Sequence, residues 1–285
     1  MTTLAADADA GDFATERATS TPIPADKSRS LRRWNRGLTF AHGLQFLAMI
    51  AISTTAVLFA PVVPTIRPII ENGKFTGVAE TSVTLFSVPL AYLIASFFLM
   101  SAIAHASAGW LLRGRYEAFL ARGINPLRWV EYAFSSTVMI VAIAYLSYIT
   151  DVPALVAIAG CNVAMILFGW SMESANEGRA TVDWKHYIFG CIAGIIPWLA
   201  IFSVLWAYSA QEGLPADAGI PAFVYVIIAS LFVAFNIFAI TMVLQYRKIG
   251  RWRDYLYGEK TYMILSLVAK SLLAWQVWSG TLRPS

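Results

Sequence analysis

One lysine, Lys270, lies in the middle of the long and otherwise uncharged segment MILSLVAKSLLAWQVW. On membrane-insertion scales a lysine at the centre of a helix costs about 3 kcal/mol, so something must compensate the charge. A desolvated lysine amine also loses its proton readily and can then condense with an aldehyde. We interpret Lys270 as a site lysine, either an ion ligand or a covalent attachment point. The alternative is a structural lysine paired with a carboxylate.

The partner that Lys270 requires is an acid at similar depth, and Glu131 in the segment RWVEYAFSSTVM is the candidate. The other carboxylates fall in the N-terminal tail, in loops or beside the edges of apolar segments. Ser135 and Met139 follow at i+4 and i+8, on the same helix stripe. Counting the helix rise separates Glu131 from Lys270 by roughly 8 Å in depth, a gap that helix tilt and the lysine's length can close. The alternative role of Glu131 is to complement the dipole at a helix start.

Three further polar residues are predicted to lie near this pair in the folded bundle. Ser266 precedes Lys270 by one helix turn and can hydrogen-bond the lysine nitrogen, the acid, or its own helix backbone. His42 and His105 fall at the depth of Glu131 and can exchange a proton with it, although each alone is compatible with a hydrogen-bonded core residue. A metal site is the weaker interpretation, because the sequence offers no third strong ligand.

The composition indicates that the elements positioning these residues lie in a bilayer. Of the 285 residues, 58% are hydrophobic and 13% are charged, and the mean hydropathy is +0.62. In soluble domains charged residues approach a quarter. These values exclude a secreted disulfide scaffold, a nucleic-acid-binding module and an ordinary cytosolic enzyme. Because Cys161 and Cys191 both lie within apolar segments, we expect small buried thiols and no structural disulfide.

Seven hydrophobic segments follow a polar N-terminal tail, and each is long enough to cross about 30 Å of hydrocarbon as a helix. The sequence predicts an all-α bundle of seven transmembrane helices, over residues 38–60, 81–112, 127–150, 152–172, 187–211, 218–246 and 259–280. The Pro- and Gly-rich connection 61–80 contains the β-prone run KFTGVA and is compatible with a hairpin outside the membrane. Residues 1–30 are predicted to be a disordered tail without a cleavable signal peptide, and residues 31–285 to be the membrane domain.

The distribution of basic residues predicts the orientation of the bundle. With the N-terminus inside, 17 of the 21 Lys and Arg residues lie on the cytoplasmic side and three on the other, and Lys270 is the one that remains. Because cytoplasmic loops retain Lys and Arg, the N-terminus is predicted to be cytoplasmic and the C-terminus extracellular. The connection 61–80 is then a long first extracellular loop of a multi-pass protein of the cell membrane.

Four segments of the sequence resemble the heliorhodopsins, retinal-binding rhodopsins whose N-terminus is cytoplasmic. They are EYAFSSTVM in the third predicted helix, GCNVAMILFGW with Asn162 in the fourth, FNIFAI with Phe235 and Asn236 in the sixth, and SLVAKSLLAWQVWSG in the seventh. The resemblance covers about residues 30–282 and leaves the tail unmatched. Ordinary microbial rhodopsins and animal receptors have the opposite orientation, so the predicted topology favours the heliorhodopsins.

The resemblance implies a role for each residue of the polar group. Lys270 would form the Schiff base with all-trans retinal, Glu131 would be its counterion, and Ser266 would be the nearby hydroxyl. His42 and His105 would be the proton-accepting pair. Heliorhodopsins are dimers, so the resemblance also implies a homodimer.

The resemblance further implies a flat slot for the polyene. Its walls would be Met139 in the third predicted helix, Trp198 in the fifth, Phe235 in the sixth and Trp275 in the seventh. Ser135, on the stripe of Glu131, would belong to the same cofactor site. For the aromatic residues the alternative is ordinary helix packing or an interfacial aromatic belt. Asn162 and Asn236 would bridge to water or to the slot, or else form simple interhelical hydrogen bonds.

These observations together predict a light-sensing retinal photoreceptor that is not an enzyme and does not pump ions efficiently. Its partners would be retinal, the lipid bilayer, a second copy of the chain and an unidentified signalling partner, with no nucleic acid. Two other functions remain open. One is a light-driven ion pump or channel, and the other is a retinal-free transporter or membrane enzyme that uses Lys270 and Glu131.

Overall fold

The computed structural model describes residues 23–211 and 219–284, and in these ranges the chain forms eight α-helices and four short or medium strands. The helices are α1 (Ala25–Ile52), α2 (Leu90–Ala106), α3 (Arg113–Ala121), α4 (Pro126–Leu146), α5 (Val152–Asn176), α6 (Lys185–Ser209), α7 (Ala222–Tyr246) and α8 (Tyr255–Val277). The strands are β1 (Leu58–Phe59), β2 (Val62–Glu71), β3 (Lys74–Thr84) and β4 (Val88–Pro89). Most of residues 1–30, predicted as a tail, and residue 218 of the sixth predicted helix lie outside the described ranges.

Six helices are long and apolar enough to cross a membrane, namely α2, α4, α5, α6, α7 and α8 with their terminal turns. On α5, α6 and α7 only 22% of the apolar window is buried within the bundle. An apolar helix that is largely exposed needs lipid around it, so the chain is a multi-pass membrane protein. The 28-residue α1 is not among the six, because basic residues fill its first turns and Arg36, His42 and Gln45 lower the hydropathy of the remainder.

Several predicted boundaries differ from the structure, and the first predicted helix, 38–60, differs at both ends: α1 ends at Ile52 and residues 58–59 form β1. The tail was predicted to extend to residue 30, but α1 begins at Ala25. Two contacts hold this first turn: Lys27 forms an ion pair with Asp254 at 2.7 Å, and the Ser28 hydroxyl donates to Glu117 at 2.7 Å. The second predicted helix, 81–112, starts too early, because residues up to Thr84 pair as a strand and α2 begins only at Leu90.

Helix caps recognisable in the sequence fix the starts of the helices that carry the polar group. The Asn125 side chain accepts from the Arg128 amide at 3.2 Å, and Pro126 follows as the first residue of α4. Asp151 caps α5 by accepting from Ala154 at 2.9 Å, which closes the tight α4–α5 connection. An acceptor at the N-cap satisfies an amide that the helix itself leaves free.

Contacts distant in sequence define the two ends of the bundle. At the end where α1 begins, which we call the amino-terminal end, α1 meets α3 and the start of α8, and Arg122 forms a two-bond ion pair with Glu177. At the opposite end, which we call the hairpin end, the Thr54 amide donates to the Leu282 carbonyl and the Val62 amide to the Thr150 carbonyl, both at 2.9 Å. Helices α1 and α8 are therefore tied together at both ends.

Strands β2 and β3 form the hairpin predicted for the 61–80 connection, and it extends over residues 62–84. Asn72 and Gly73 make its turn with φ values of 50° and 73°. A two-residue turn with positive φ at both positions matches the right-handed twist of the strands, and Asn-Gly adopts it most readily. The predicted hairpin is thus present and longer than the sequence indicated.

The hydrophobic core fills the hairpin half of the bundle, where α2, α4, α7 and α8 meet around Phe97, Phe98, Ile143 and Leu231. All four side chains are fully buried. Polar side chains are concentrated in the other half, around Lys270, Glu131 and Arg128. The packed half therefore serves as a rigid base for the helices that carry the polar group.

Candidate functional site

Lys270 of α8 and Glu131 of α4 form a buried ion pair, with 3.1 Å between Nζ and Oε1. Their side chains are 3% and 6% exposed. The depth difference expected from helix rise is thus closed by the geometry of the two helices and the length of the lysine. At this burial each charge would be costly without the other, so the pair compensates both.

Three serines complete the polar surroundings of the pair. Ser266 accepts a hydrogen bond from Lys270 Nζ at 2.7 Å. Ser135, one turn after Glu131, and Ser101 of α2 both donate to Glu131 Oε1, at 2.7 and 2.6 Å. The sequence pattern singled out Ser266 and Ser135 and missed Ser101. The signal available for Ser101 was a polar residue in an apolar helix one turn before His105.

The two predicted histidines stack on each other, with ring centroids 5.6 Å apart and an angle of 6° between planes. His105 Nδ1 lies 2.8 Å from Asn35 Oδ1. His42 is fully buried, and neither of its ring nitrogens has a hydrogen-bond partner among the described residues. A buried unpaired imidazole is costly, and a bound water would relieve that cost.

A cavity lies between α4, α5, α6, α7 and α8, and Lys270 forms part of its wall. Its volume is about 890 Å³ including the open mouth. Its lining is mostly aromatic, apolar and sulfur-containing, and consists of Trp129, Tyr132, Ser136, Met139, Met165, Ile166, Gly169, His186, Tyr187, Gly190, Cys191, Phe235, Phe238, Ala239, Met242, Tyr262, Ser266, Ala269 and Lys270. A mostly apolar lining with a few polar groups is typical of small-molecule sites.

Glycines on α5 and α6 give this cavity its width. A Cβ atom at Gly169 would overlap the ring of Trp129. A Cβ atom at Gly190 would come within 3.3 Å of the Phe168 side chain across the α5–α6 contact. Larger side chains at these positions would push neighbouring groups into the slot.

The structure brings some of the predicted wall residues into the cavity and leaves others out. Met139 and Phe235 line it. Trp275 does not, because five residues after Lys270 a helix has turned by about 140°. Its indole instead donates to Gln45 of α1 at 3.1 Å. Trp198 lies two turns beyond Cys191 and packs edge-on against Phe235, behind the wall.

The two predicted asparagines also lie outside the lining. Asn162 donates to the hydroxyls of Ser136 and Thr137 on α4, both at 2.9 Å, which is the interhelical alternative. Through Ser136 it contacts the wall indirectly. Asn236 is exposed and donates to the Phe232 carbonyl of its own helix, since one residue after Phe235 the helix has turned about 100° away from the slot.

Several lining residues were missed by the sequence pattern. Tyr132 follows Glu131 directly, and Lys270 Nζ lies 5.5 Å from its ring centroid. Phe238 and Tyr262 stack on each other beside it. His186, bonded to the Ser171 hydroxyl at 2.9 Å, lines the same cavity. Cys191 is exposed as well as lining the cavity, which corrects the prediction of two buried thiols.

A second buried charge cluster was also missed. Arg128 of α4 binds the carboxylates of Glu173 on α5 and Glu259 on α8. All three side chains are at most 5% exposed. The sequence pattern counted Arg128 as a loop cation and both acids as edge residues, because each lies within a few residues of the end of an apolar segment. Only their convergence in three dimensions reveals the cluster.

This arrangement can do specific chemistry. The amine of Lys270 faces an apolar slot and is held by Glu131 and Ser266, so it can bind an elongated apolar aldehyde covalently. Glu131 can then balance a positive charge on the nitrogen. The neighbouring histidines supply ring nitrogens that are chemically able to accept a proton.

Comparison with known proteins agrees with this geometry. The family model Heliorhodopsin matches residues 31–282. Among solved structures, the light-driven proton pump LR (Mac) from Leptosphaeria maculans is similar, with a TM-score of 0.56 at 13% identity over 90% of this chain and 96% of that chain. At that identity the likeness shows the fold alone. No curated protein matches the chain. Because the family model covers most of its length, the chain belongs to the heliorhodopsin family.

Proposed function

We propose that this protein is a light-sensing retinal photoreceptor of the cell membrane, neither an enzyme nor an efficient ion transporter. Membership of the heliorhodopsin family implies a retinal chromophore. The observation that carries the proposal is the Lys270–Glu131 pair, 3.1 Å apart, at the wall of the largely apolar cavity. A structural ion pair alone would not require a slot beside it.

The residues present fit retinal. Bound retinal supplies light absorption and a light-driven change of shape. Lys270 would hold it covalently through its amine, with the all-trans form proposed in the dark, and the cavity residues Met139, Phe235 and Phe238 would contact it. Glu131 stabilises the positive charge on the lysine nitrogen, and Ser101 and Ser135 fix the orientation of its carboxylate.

The chain's own residues also suggest where a proton moves. When light breaks the pairing at the Lys270 nitrogen, Glu131 and the stacked pair of His42 and His105 are the nearby acceptors on the amino-terminal side. The resulting change in helix packing would be the signal, which a separate partner must receive. Family resemblance further suggests that the signalling form is a homodimer.

Weak ion transport follows from a one-sided distribution of titratable groups. Beyond Lys270 toward the hairpin end, the described helices contain no Asp, Glu, His, Lys or Arg, over residues 43–52, 90–98, 136–146, 152–164, 197–209, 222–234 and 271–282. Vectorial transport needs a donor and an acceptor on opposite sides of the lysine. A proton that leaves Lys270 therefore returns by the route on which it left.

We further propose that α1 is a seventh span and that the amino-terminal end is cytoplasmic. Residues 38–52 of α1 carry no Asp, Glu, Lys or Arg, and α1 packs along α2. The basic residues of α1, α3 and the α7–α8 connection gather at the amino-terminal end, as the positive-inside rule requires of a cytoplasmic face.

The decisive experiment is regeneration of the purified retinal-free protein with all-trans retinal. We expect a visible absorption band that is lost in Lys270→Ala and retained in Lys260→Ala, a matched change on the same helix. No visible band in the unsubstituted protein would overturn the photoreceptor and favour a retinal-free transporter. A sustained light-driven current that requires Lys270 would instead establish a pump or channel.

A further inference from the structure

The cluster around Arg128 contains more acid than base. Arg128 lies between Glu173 and Glu259 and contacts both carboxylates. Its guanidinium also stacks 4.1 Å from the centroid of the Tyr262 ring. With both acids ionised, the cluster would carry a net charge of −1.

No second cation balances this charge. Among the residues that the structure describes, Arg128 is the only ion-pair partner of either acid. The other polar groups packed around the cluster are neutral: Asn125, Tyr255 and Tyr262, Tyr116 of α3, Tyr246 and Gln245 of α7, and the Trp129 indole. The acids are 2% and 1% exposed. An unbalanced charge at this burial costs several kcal/mol, whereas binding a proton removes it.

The hydrogen-bond donors indicate which acid holds the proton. Glu173 accepts from four donors: Arg128, the Asn125 amide at 2.9 Å, the Trp129 indole at 2.6 Å and, more weakly, the Tyr255 hydroxyl at 3.4 Å. Glu259 accepts from two, Arg128 and the Asn125 side chain. More donors stabilise the ionised form, so Glu173 is the anion and Glu259 is the acid.

A small polar cavity joins this cluster to the Lys270 site. It is lined by Glu259 and Arg128 on one side and by Glu131 and His105 on the other. Three lining residues have buried atoms without a hydrogen-bond partner, namely Tyr116 Oη, Tyr262 Oη and Arg128 Nε. The centres of water molecules can occupy about 40 Å³ of this cavity, and one water needs about 10–15 Å³ of such space. A few waters therefore fit, and the polar residues among those that line the cavity can bind them.

We propose that Glu259 carries a proton in the resting protein and forms the far end of a water-linked proton path that begins at Glu131. The O–H of Glu259 donates into the cavity water, while its oxygens accept from Arg128 and Asn125. When Glu259 releases its proton, its O–H bond breaks and a new O–H bond forms on a cavity water. The reverse step returns a proton to Glu259. The link to light rests on the proposed function, whereas the resting proton does not.

The test uses retinal-free, full-length protein in lipid nanodiscs in the dark. Infrared absorption at neutral pH should show the carbonyl stretching band of one protonated carboxylic acid. We expect the band to disappear in Glu259→Gln and to shift in frequency in Glu259→Asp. In Glu131→Gln, loss of a negative charge beside the shared cavity should move the pH at which the band vanishes to a lower value.

Thermal stability supplies an independent comparison. Glu259→Gln replaces a neutral acid by a neutral amide, so Tm should change by less than about 2 °C. Glu173→Gln places an NH₂ group against donors and should lower Tm by roughly 5 °C or more. Absence of a protonated-acid band in the unsubstituted protein, or the reverse order of the two Tm values, would overturn the resting proton. An unshifted band in Glu131→Gln would overturn the path. Because retinal is absent throughout, these results are independent of whether a pigment forms.

Discussion

At the residue scale, three donors converge on a single oxygen, Oε1 of Glu131. Lys270, Ser101 and Ser135 reach it from three different helix positions. Two neutral hydroxyls beside one cation hold the carboxylate in a fixed orientation without neutralising it. Such an arrangement suits a group that must stay charged next to a second charge.

Replacing Glu131 with Gln should therefore change the colour of the regenerated pigment. An anion near the lysine nitrogen localises positive charge there, so its loss should move the absorption maximum to longer wavelength. The protonated form should also give way to the deprotonated form at a lower pH. A pH titration of the purified pigment, followed by its visible absorption spectrum, measures both effects. Glu71→Gln, at an exposed hairpin residue, is the control, and a titration unchanged in Glu131→Gln would exclude the counterion role.

The sequence was sufficient for the central pair and insufficient for its surroundings. Lys270 and Glu131 were identifiable because a charge inside an apolar helix is rare and requires a partner. Ser101 was not, since serine in an apolar helix commonly bonds its own backbone, as Ser101 also does to Phe97. Arg128 was not, because the pattern cannot distinguish a loop cation from one that turns inward.

At the element scale, close contact between α4 and α5 sets the width of the slot. Gly169 lies against the Trp129 ring, so Gly169→Ala should displace the indole and cost about 1–3 kcal/mol by overpacking. Gly160 on the same helix has open space around its Cα, and Gly160→Ala should be neutral or stabilising by about 0.5–1 kcal/mol. Melting temperature and pigment yield measure both variants. Equal behaviour of the two would contradict the close contact.

The hydrogen bond between Ser28 of α1 and Glu117 of α3 should weaken in acid. Partial burial raises the pKa of Glu117, but hydrogen bonds from Arg113 and Ser28 lower it by more, so the pKa lies below its usual range. Because the folded-state pKa is depressed, the stabilisation is present above the unfolded value, about 4.3, and is lost as pH falls through the folded value.

Hydrogen-exchange protection factors of residues 113–121 measure this effect. In the unsubstituted protein these protection factors should decrease once the pH is lower than about 4. In Glu117→Gln they should be lower already at neutral pH and show little further change. Protection that is independent of pH in the unsubstituted protein would mean that Glu117 does not hold α3 in place.

Element identity was more predictable than element boundaries. Long apolar segments indicated where the six apolar spans lie, and the run KFTGVA indicated a hairpin. The limits of the second segment were wrong because residues 81–84, TSVT, are uncharged and precede the apolar segment directly, but they pair across the sheet with residues 62–65. Rotation about the helix axis also escaped the pattern, which is why Trp275 and Asn236 were assigned to the slot.

At the scale of the whole molecule, the asymmetry of charge between the two ends predicts an orientation. Since 17 of the 21 basic residues lie on one side, a tag at the N-terminus should be protected from protease in intact cells, and a tag at the C-terminus should be cleaved. Permeabilised cells, in which both tags are cleaved, provide the control. The reverse pattern would invert the proposed topology.

The same asymmetry predicts light sensing without net transport. Cells or liposomes that carry the retinal-loaded protein should show no sustained light-induced pH change and no photocurrent, because the hairpin half of the described helices contains no Asp, Glu, His, Lys or Arg to relay a proton. The Lys270→Ala variant, which lacks the proposed attachment point for retinal, provides the baseline without a light response. A steady signal that disappears in this variant would show that water alone completes a path across the hairpin half.

The last helix, α8, supplies Lys270 and Glu259, and it also carries the Asp254 cap that pairs with Lys27. During synthesis the chain emerges from its N-terminus, so Glu131 and Arg128 enter the bilayer before their partners on α8 exist. A nascent chain that stops before residue 254 would leave Glu131 without its cation and Lys27 without Asp254. Insertion of α8 thus completes the buried ion pairs of Glu131 and Arg128. Cellular quality control could distinguish finished from unfinished molecules by the unpaired charges that remain before this step.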